Sequence, residues 1–169
     1  KITASEVKYL EVTGTLTADD YDYIKNNLIN LVGIKLPDTY AVFPSEFSKL
    51  SIKFATSDNA GVWVKNTEEG GLSAAINAIP SDWISSAKKI SVSGPMNAKD
   101  MSAFSISTLK GIEIINLYDA TVSDKSDYSS FDVDDSQTKK ALVLAGQVTA
   151  DEIASITINN QYKIWAIYS

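Results

Sequence analysis

The feature that most constrains this chain is a unit that occurs three times along it. It reads YLEVTGTLTADDYDYI at 9–24, KISVSGPMNAKDMSAF at 89–104 and ALVLAGQVTADEIASI at 141–156. Aligned on glycine, Gly14, Gly94 and Gly146 coincide. Two and four residues earlier stand Val12 and Leu10, Val92 and Ile90, Leu144 and Leu142. Period-two alternation of this kind marks one face of a short β-strand. The spacing predicts equivalent places for the three glycines, each ending a strand before a helix, with the positive φ that only glycine adopts cheaply.

Three residues after each glycine comes a helix-capping residue: Thr17, Asn97 and Thr149. An acid follows at the third helical position, namely Asp20, Asp100 and Glu152. That is the capping-box pattern, in which the cap side chain accepts an orphan amide and the acid reaches back to the cap's own N–H. Apolar residues before each cap (Leu16, Met96, Val148) match apolar residues at the fourth helical position (Tyr21, Met101, Ile153), as a hydrophobic staple requires. Ile24, Phe104 and Ile156 continue the buried stripe. Each helix leads to a second apolar strand, over 31–36, 112–117 and 162–168. The strand-to-strand spacing is 24 residues from Leu10 to Ile34, 24 from Ile90 to Ile114 and 22 from Leu142 to Ile164. A strand, a helix and a strand at that interval suit a right-handed parallel crossover.

The prediction is therefore one repeat domain over 1–169, with regular units at about 6–40, 86–123 and 138–169. Residues 41–85 form a degenerate repeat or insertion, in which 61–65 can add a strand and 72–79 a short helix. The expected fold is an α/β, leucine-rich-repeat-like right-handed solenoid. Six or seven mostly parallel strands form one face and the helices the other. Residues 119–137 are polar and Asp-rich, the longest expected loop.

Composition excludes many chemistries. The chain has 169 residues, 44% of them hydrophobic, enough for one well-buried core. Its net charge is −6, and all 15 basic residues are lysine. An acidic chain without the bidentate arginine fork is a poor partner for nucleic acid or anionic membranes. Histidine and cysteine are absent, which removes Ser-His-Asp and Cys-His nucleophiles and imidazole or thiolate metal sites. No cofactor is expected. No run of 18 apolar residues is present, so no membrane span is expected. The chain begins at Lys1, which suits a processed or trimmed product whose export signal has been removed.

Several clusters have a chemical and a structural reading. Asp124, Asp127, Asp132, Asp134 and Asp135 lie close together and could chelate calcium, but the segment lacks the glycine and spacing of an EF-hand loop. The expectation for 124–135 is a mobile, solvated excursion without a tightly bound ion, tethered at Phe131 and Val133. Asp19, Asp20 and Asp22, and the pair Glu68 and Glu69, could in principle hydrolyse glycosides. The first helical turn already accounts for Asp19 and Asp20. Trp63, Trp83 and Trp165 could stack on sugar rings, with core or junction packing the expectation for each. Ser85, Ser86 and Lys88 resemble a Ser-Lys dyad without its serine-x-x-lysine spacing.

The pattern apolar-x-Val-x-Gly-x-apolar-Thr/Asn-Ala-x-Asp, followed by a helix and an apolar strand, resembles the BspA-like leucine-rich-repeat surface proteins of Bacteroidetes. The matching residues are the strand pairs, the glycines and the caps. The asparagine ladder of ordinary leucine-rich repeats is missing, and the units vary in length. The resemblance implies an exported protein, secreted or lipid-anchored at the cell surface, acting in adhesion or in binding host or glycan ligands. It carries over no ligand-binding residue. The expected function is a non-catalytic binding or adhesion module. The alternatives are a carbohydrate-binding component of a glycan-uptake system, or a structural spacer.

Overall fold

A computed structural model describes residues 2–40, 42–55, 60–133, 139–158 and 167–168. All three predicted caps form. Thr17 caps α1 (Ala18–Asn27), and its N–H donates to Asp20 at 2.8 Å. Asn97 caps α4 (Ala98–Ser102), its Oδ1 accepting from Lys99 N at 3.0 Å. Thr149 caps α5 (Ala150–Ile153) and donates its N–H to Glu152 at 2.9 Å. The staple partners Met96 and Met101 are fully buried. Two further short helices, α2 (Leu72–Asn77) and α3 (Ser81–Ser85), fall in the irregular stretch.

The strands are β1 (Tyr9–Glu11), β2 (Gly33–Leu36), β3 (Ile52–Ala55), β4 (Gly61–Lys65) and β5 (Lys89–Met96). They continue with β6 (Ile114–Asn116), β7 (Ala120–Val122), β8 (Ala141–Val143) and β9 (Ile167–Tyr168). Eight of them form one mostly parallel mixed sheet in the order β1-β2-β3-β4-β5-β6-β8-β9, and β7 pairs with the far end of β5. Among the described residues the one antiparallel pair is β3 with β4, where Phe54 faces Val62. Strands β1 to β3 therefore run one way, and β4 onward run the other.

This reversal corrects the expectation of strands on one face and helices on the other. Paired residues share a face of the sheet. By register, Leu10, Ile34 and Lys53 share one face, while Ile52, Val64 and Val92 share the opposite one. Ile24 of α1 clusters with Ile34, Leu36 and Phe47 on the first face. Leu72 and Ile76 of α2, Trp83 and Ile84 of α3 and Met101 of α4 cluster with Ile52, Val64, Ile90 and Val92 on the second. A crossover of fixed hand lays its helix on the other face once the strand direction flips while the sheet keeps growing sideways. The sheet thus carries a small core on one face near its N-terminal edge and a large core on the other face.

The predicted strand pairs each face the helix of their own unit, as alternation required: Leu10 and Val12 in the small core, Ile90 with Val92 and Leu142 with Leu144 in the large one. The partners across two crossovers differ from the aligned spacing. Leu10 pairs with Ile34, but Ile90 pairs with Ile115 rather than Ile114, and Leu142 with Ile167 rather than Ile164. Ile115 is buried for this reason, and Ile114 lies half-buried on the opposite face.

The three glycines are not equivalent. Gly14 and Gly146 lie beyond their strands, whereas Gly94 lies inside β5. Of the three only Gly94 has a positive φ, +91°. Up to Ser93, β5 pairs with β4, and it pairs with β6 over residues 89–91; from Gly94 to Met96 it pairs with β7. Gly94 is the pivot between these partners. Against it lies the buried Asn66, whose N–H donates to Ser93 O at 2.8 Å and whose Nδ2 donates to Pro95 O at 2.7 Å. Next to it the fully buried Asp100 ties two units together. Its carboxylate accepts from Gly70 N at 2.7 Å, Leu72 N at 2.9 Å and Asn97 N at 3.0 Å. One acid thus serves the first turns of both α4 and α2. Gly33 answers a different need: a Cβ there would lie 2.8 Å from the Tyr9 ring, which crosses it to meet Trp83 edge-on at 5.7 Å.

Candidate functional site

Because the large core occupies one face of β4 to β6, the other face of these strands is left to polar side chains. Register sets out a row across four strands: Lys53 on β3, Trp63 on β4, Ser91 on β5 and Asn116 on β6. Strand spacing places successive members roughly 4.8 Å apart. Lys65 and Ser93 form a second row, one side-chain repeat further along. Lys53, Trp63, Ser91, Ser93 and Asn116 are half-buried and Lys65 is exposed. Together with Ser48, Ser51 and Asp119 they line a depression of about 150 Å³.

The aromatic in this row is held in place. The Trp63 ring meets Phe43 edge-on, with centroids 5.2 Å apart and planes at 76°. Lys53 Nζ lies 5.8 Å from the Phe43 centroid, within range of a cation–π contact. Neither Lys53 nor Lys65 has an ion-pair partner among the described residues. Asn116 Oδ1 accepts from Tyr118 N at 3.0 Å, which leaves its side-chain NH₂ as the group able to donate. The depression therefore offers an aromatic surface, two ammonium groups, serine hydroxyls, an amide and one carboxylate within a few side chains.

A larger groove of about 810 Å³ opens between α1 and residues 45–50. Its wall is mostly apolar, formed by Tyr21, Ile24, Leu28, Leu31, Phe47 and Leu50. Here a single α-helix and a 3₁₀ turn at Ser45–Phe47 cover β1 and β2. Burial, with the Tyr40 hydroxyl beside it and nearby Glu46, pushes the Tyr21 hydroxyl up to about 12. Its charged residues, Asp22, Lys25, Glu46 and Lys49, are all exposed, and they contribute no inward-facing buried charge.

The sequence candidates are placed as follows. Trp83 is buried at the junction beside Tyr9, as expected. Trp63 departs from the expected core packing and lies on the open face. Trp165 lies outside the described residues. Asp20 is held by the cap, and its bonds from Thr17 lower its carboxyl below the usual range. Glu69 accepts from Ser123 Oγ at 3.3 Å. Ser85 and Ser86 donate their hydroxyls to Asp82 O and Trp83 O, while Lys88 lies 3.8 Å from Glu113, so no dyad assembles.

The Asp-rich segment is not the loose excursion expected. Residues Lys125–Ser130 form a 3₁₀ helix anchored by the buried Tyr128, whose hydroxyl accepts from Ala145 N at 2.9 Å. Phe131 and Val133 are buried, as predicted. Asp124 binds Ser126 N at 2.9 Å and is lowered by it, whereas desolvation and the Asp124 and Glu69 carboxylates raise Asp127. Asp132 is exposed, and Asp134 and Asp135 lie outside the described residues. Among the described residues no three acidic side chains converge on a point that could hold a metal.

The open face was only half visible in the sequence. Alternation of Ser91 and Ser93 with Ile90 and Val92 marks a polar side of β5, but nothing local to it says that Trp63 and Asn116 lie alongside. Among the described residues no helix is long and apolar enough to cross a membrane. Compared with family models, curated proteins and solved structures, the chain matches none.

Proposed function

We propose that this protein is a non-catalytic, extracytoplasmic binding or adhesion module whose ligand seats on the open face of β3 to β6. The observation that carries this reading is the row Lys53–Trp63–Ser91–Asn116, an aromatic set among hydrogen-bonding groups on a surface that no helix among the described residues covers. Rigid strands fix the spacing of these groups before any ligand arrives, which lowers the ordering cost of binding. A spacer needs no such depression, so this arrangement favours recognition over mere display. Among the groups that suggested hydrolysis, Asp20, Ser85 and Ser86 are engaged in capping and backbone bonds, which supports a role without chemistry.

The finer architectural reading is that of BspA-like repeats, secreted or lipid-anchored at the cell surface. Three capped strand–helix units and neighbouring strands in chain order support it. In this reading the chain is two short solenoid-like runs set back to back at the antiparallel β3–β4 pair. The test is a glycan and host-protein binding screen on the wild type, with Trp63→Ala as the control. Ligands retained by the wild type and lost by the variant support the face. A ligand bound equally by both places the binding surface elsewhere.

A further inference from the structure

We propose that the open face recognises a carboxylated saccharide, with the sugar ring stacked on Trp63 and its carboxylate held between Lys53 and Lys65. This deepens the binding-face reading and rests on it. Three observations meet here. The first is the aromatic. A half-buried indole steadied edge-on by Phe43 offers an apolar surface with little rotamer freedom to lose, which suits the C–H face of a pyranose.

The second is the distribution of charge. Lys53 lies directly across from Trp63, and Lys65 lies two residues along the same strand on the same face. One strand spacing and one side-chain repeat, roughly 5 and 7 Å, therefore separate the backbone positions of the two lysines from that of the aromatic. Both lack ion-pair partners among the described residues, in a chain whose net charge is −6. A local pair of unneutralised cations beside a stacking surface selects an anionic group on the ring. At the other end of the depression the exposed Asp119 accepts hydroxyls and repels a second anion, while Ser91, Ser93 and Asn116 supply further hydrogen bonds to hydroxyls. The charge gradient thus orients the sugar, with its carboxylate towards the lysines.

The third is size. About 150 Å³ holds roughly one sugar ring, so a single acidic residue within a largely neutral glycan fits better than a dense polyanion. The lack of arginine and the acidic net charge point the same way, since long polyanions are bound through many cationic contacts.

The experiment measures binding of sialyllactose and of a xylotriose bearing one glucuronic acid to the full chain by calorimetry, each against its carboxyl methyl ester and against a neutral oligosaccharide. The wild type should bind at least one acid at least tenfold more tightly than its ester. Lys53→Gln and Lys65→Gln, at a half-buried and an exposed position without ion pairs among the described residues, should leave the fold intact and erase that preference. Trp63→Ala should lose acid and ester alike, and Trp63→Phe, a gentler change, should retain part of the affinity. Equal affinity for acid and ester overturns the carboxylate assignment while leaving the binding face standing. Binding of neither acid, when other ligands depend on Trp63, does the same. Acid binding that survives Trp63→Ala overturns the site itself. Tighter binding of heparin than of either acid, lost on raising the salt, would overturn the one-carboxylate selectivity in favour of a dense polyanion.

Discussion

Replacing Gly94 with alanine should be among the most damaging single-methyl additions in this protein. A Cβ there would lie 2.1 Å from the carbonyl oxygen of Asn66, about an ångström inside the closest approach that real side chains show. The contact is with backbone, so no rotamer change relieves it. Holding an L-residue at φ +91° adds about 1–2 kcal/mol. Relief requires β4 and β5 to part at their ends, which strains the 2.8 Å bond from Asn66 N and the 2.7 Å bond from its Nδ2. Each such bond contributes about 1 kcal/mol, and leaving the buried Asn66 amide unsatisfied costs about 1–3 kcal/mol more. The expected loss is about 3–6 kcal/mol, a large share of the roughly 5–15 kcal/mol that a domain possesses. The matched controls are the other two aligned glycines. Nothing lies within 4 Å of a Cβ at Gly14, so Gly14→Ala should be neutral or stabilising by up to about 1 kcal/mol. A Cβ at Gly146 would meet the exposed Tyr118 ring at 3.1 Å and its carbonyl at 3.2 Å, an intermediate case. Urea unfolding of the three variants, compared at a common m-value, gives the ordering. If Gly94→Ala falls within 1 kcal/mol of Gly14→Ala, the pivot at β5 is wrong.

Asp100→Ala should cost about 3–5 kcal/mol, because it strands three buried or half-buried backbone N–H groups, whereas the exposed counterpart Asp20→Ala should cost about 1 kcal/mol; denaturant melts compare them. Asp127 is raised in the fold, so its ionised form opposes folding at neutral pH. Asp127→Asn should therefore be slightly more stable than the wild type at pH 7, and the advantage should vanish on titrating below pH of about 3.9, where the unfolded carboxyl protonates too. Titrations in which the variant is less stable at pH 7 would refute that sign. Millimolar calcium should leave the melting temperature nearly unchanged; a stabilisation of about 3 kcal/mol, as expected at a hundred times the dissociation constant, would reveal a chelating site that includes residues beyond Val133.

The parts of this fold that were legible in the sequence are the local ones. A cap and its acid lie three residues apart, so Thr17, Asn97 and Thr149 announced their helices, and alternation placed Ile90 and Val92 on the buried side. The reversal at β3–β4 was missed although chain length spoke for it. Five residues separate Ala55 from Gly61, fewer than the dozen or so that a parallel crossover needs. The one-residue offset between Ile114 and Ile115 could not be read from spacing, because both positions are isoleucine and either suits a buried strand. Asp100 looked like one more capping acid; its bonds to Gly70 and Leu72 span about thirty residues and leave no local trace. The open face was hidden for the same reason. Trp63, Ser91 and Asn116 become neighbours only through strand register, and a lone tryptophan in an apolar strand reads as core.

The change of strand direction also bears on how the molecule comes apart. Among the described residues, the layer under α1 buries four hydrophobic side chains, Ile24, Ile34, Leu36 and Phe47, against twenty-nine in the cluster on the other face. The two share the sheet as a common wall, and α1 with the 3₁₀ turn at Ser45–Phe47 can lift from it while Tyr9 stays packed on Trp83 in the large core. Opening there exposes little apolar surface, so it falls at the low end of the local-unfolding ladder. Amide protons of α1 should exchange through such partial openings, while those of β4 and β5 await global unfolding. The antiparallel pairing of β3 with β4 then marks the boundary between two cooperative units of unequal strength.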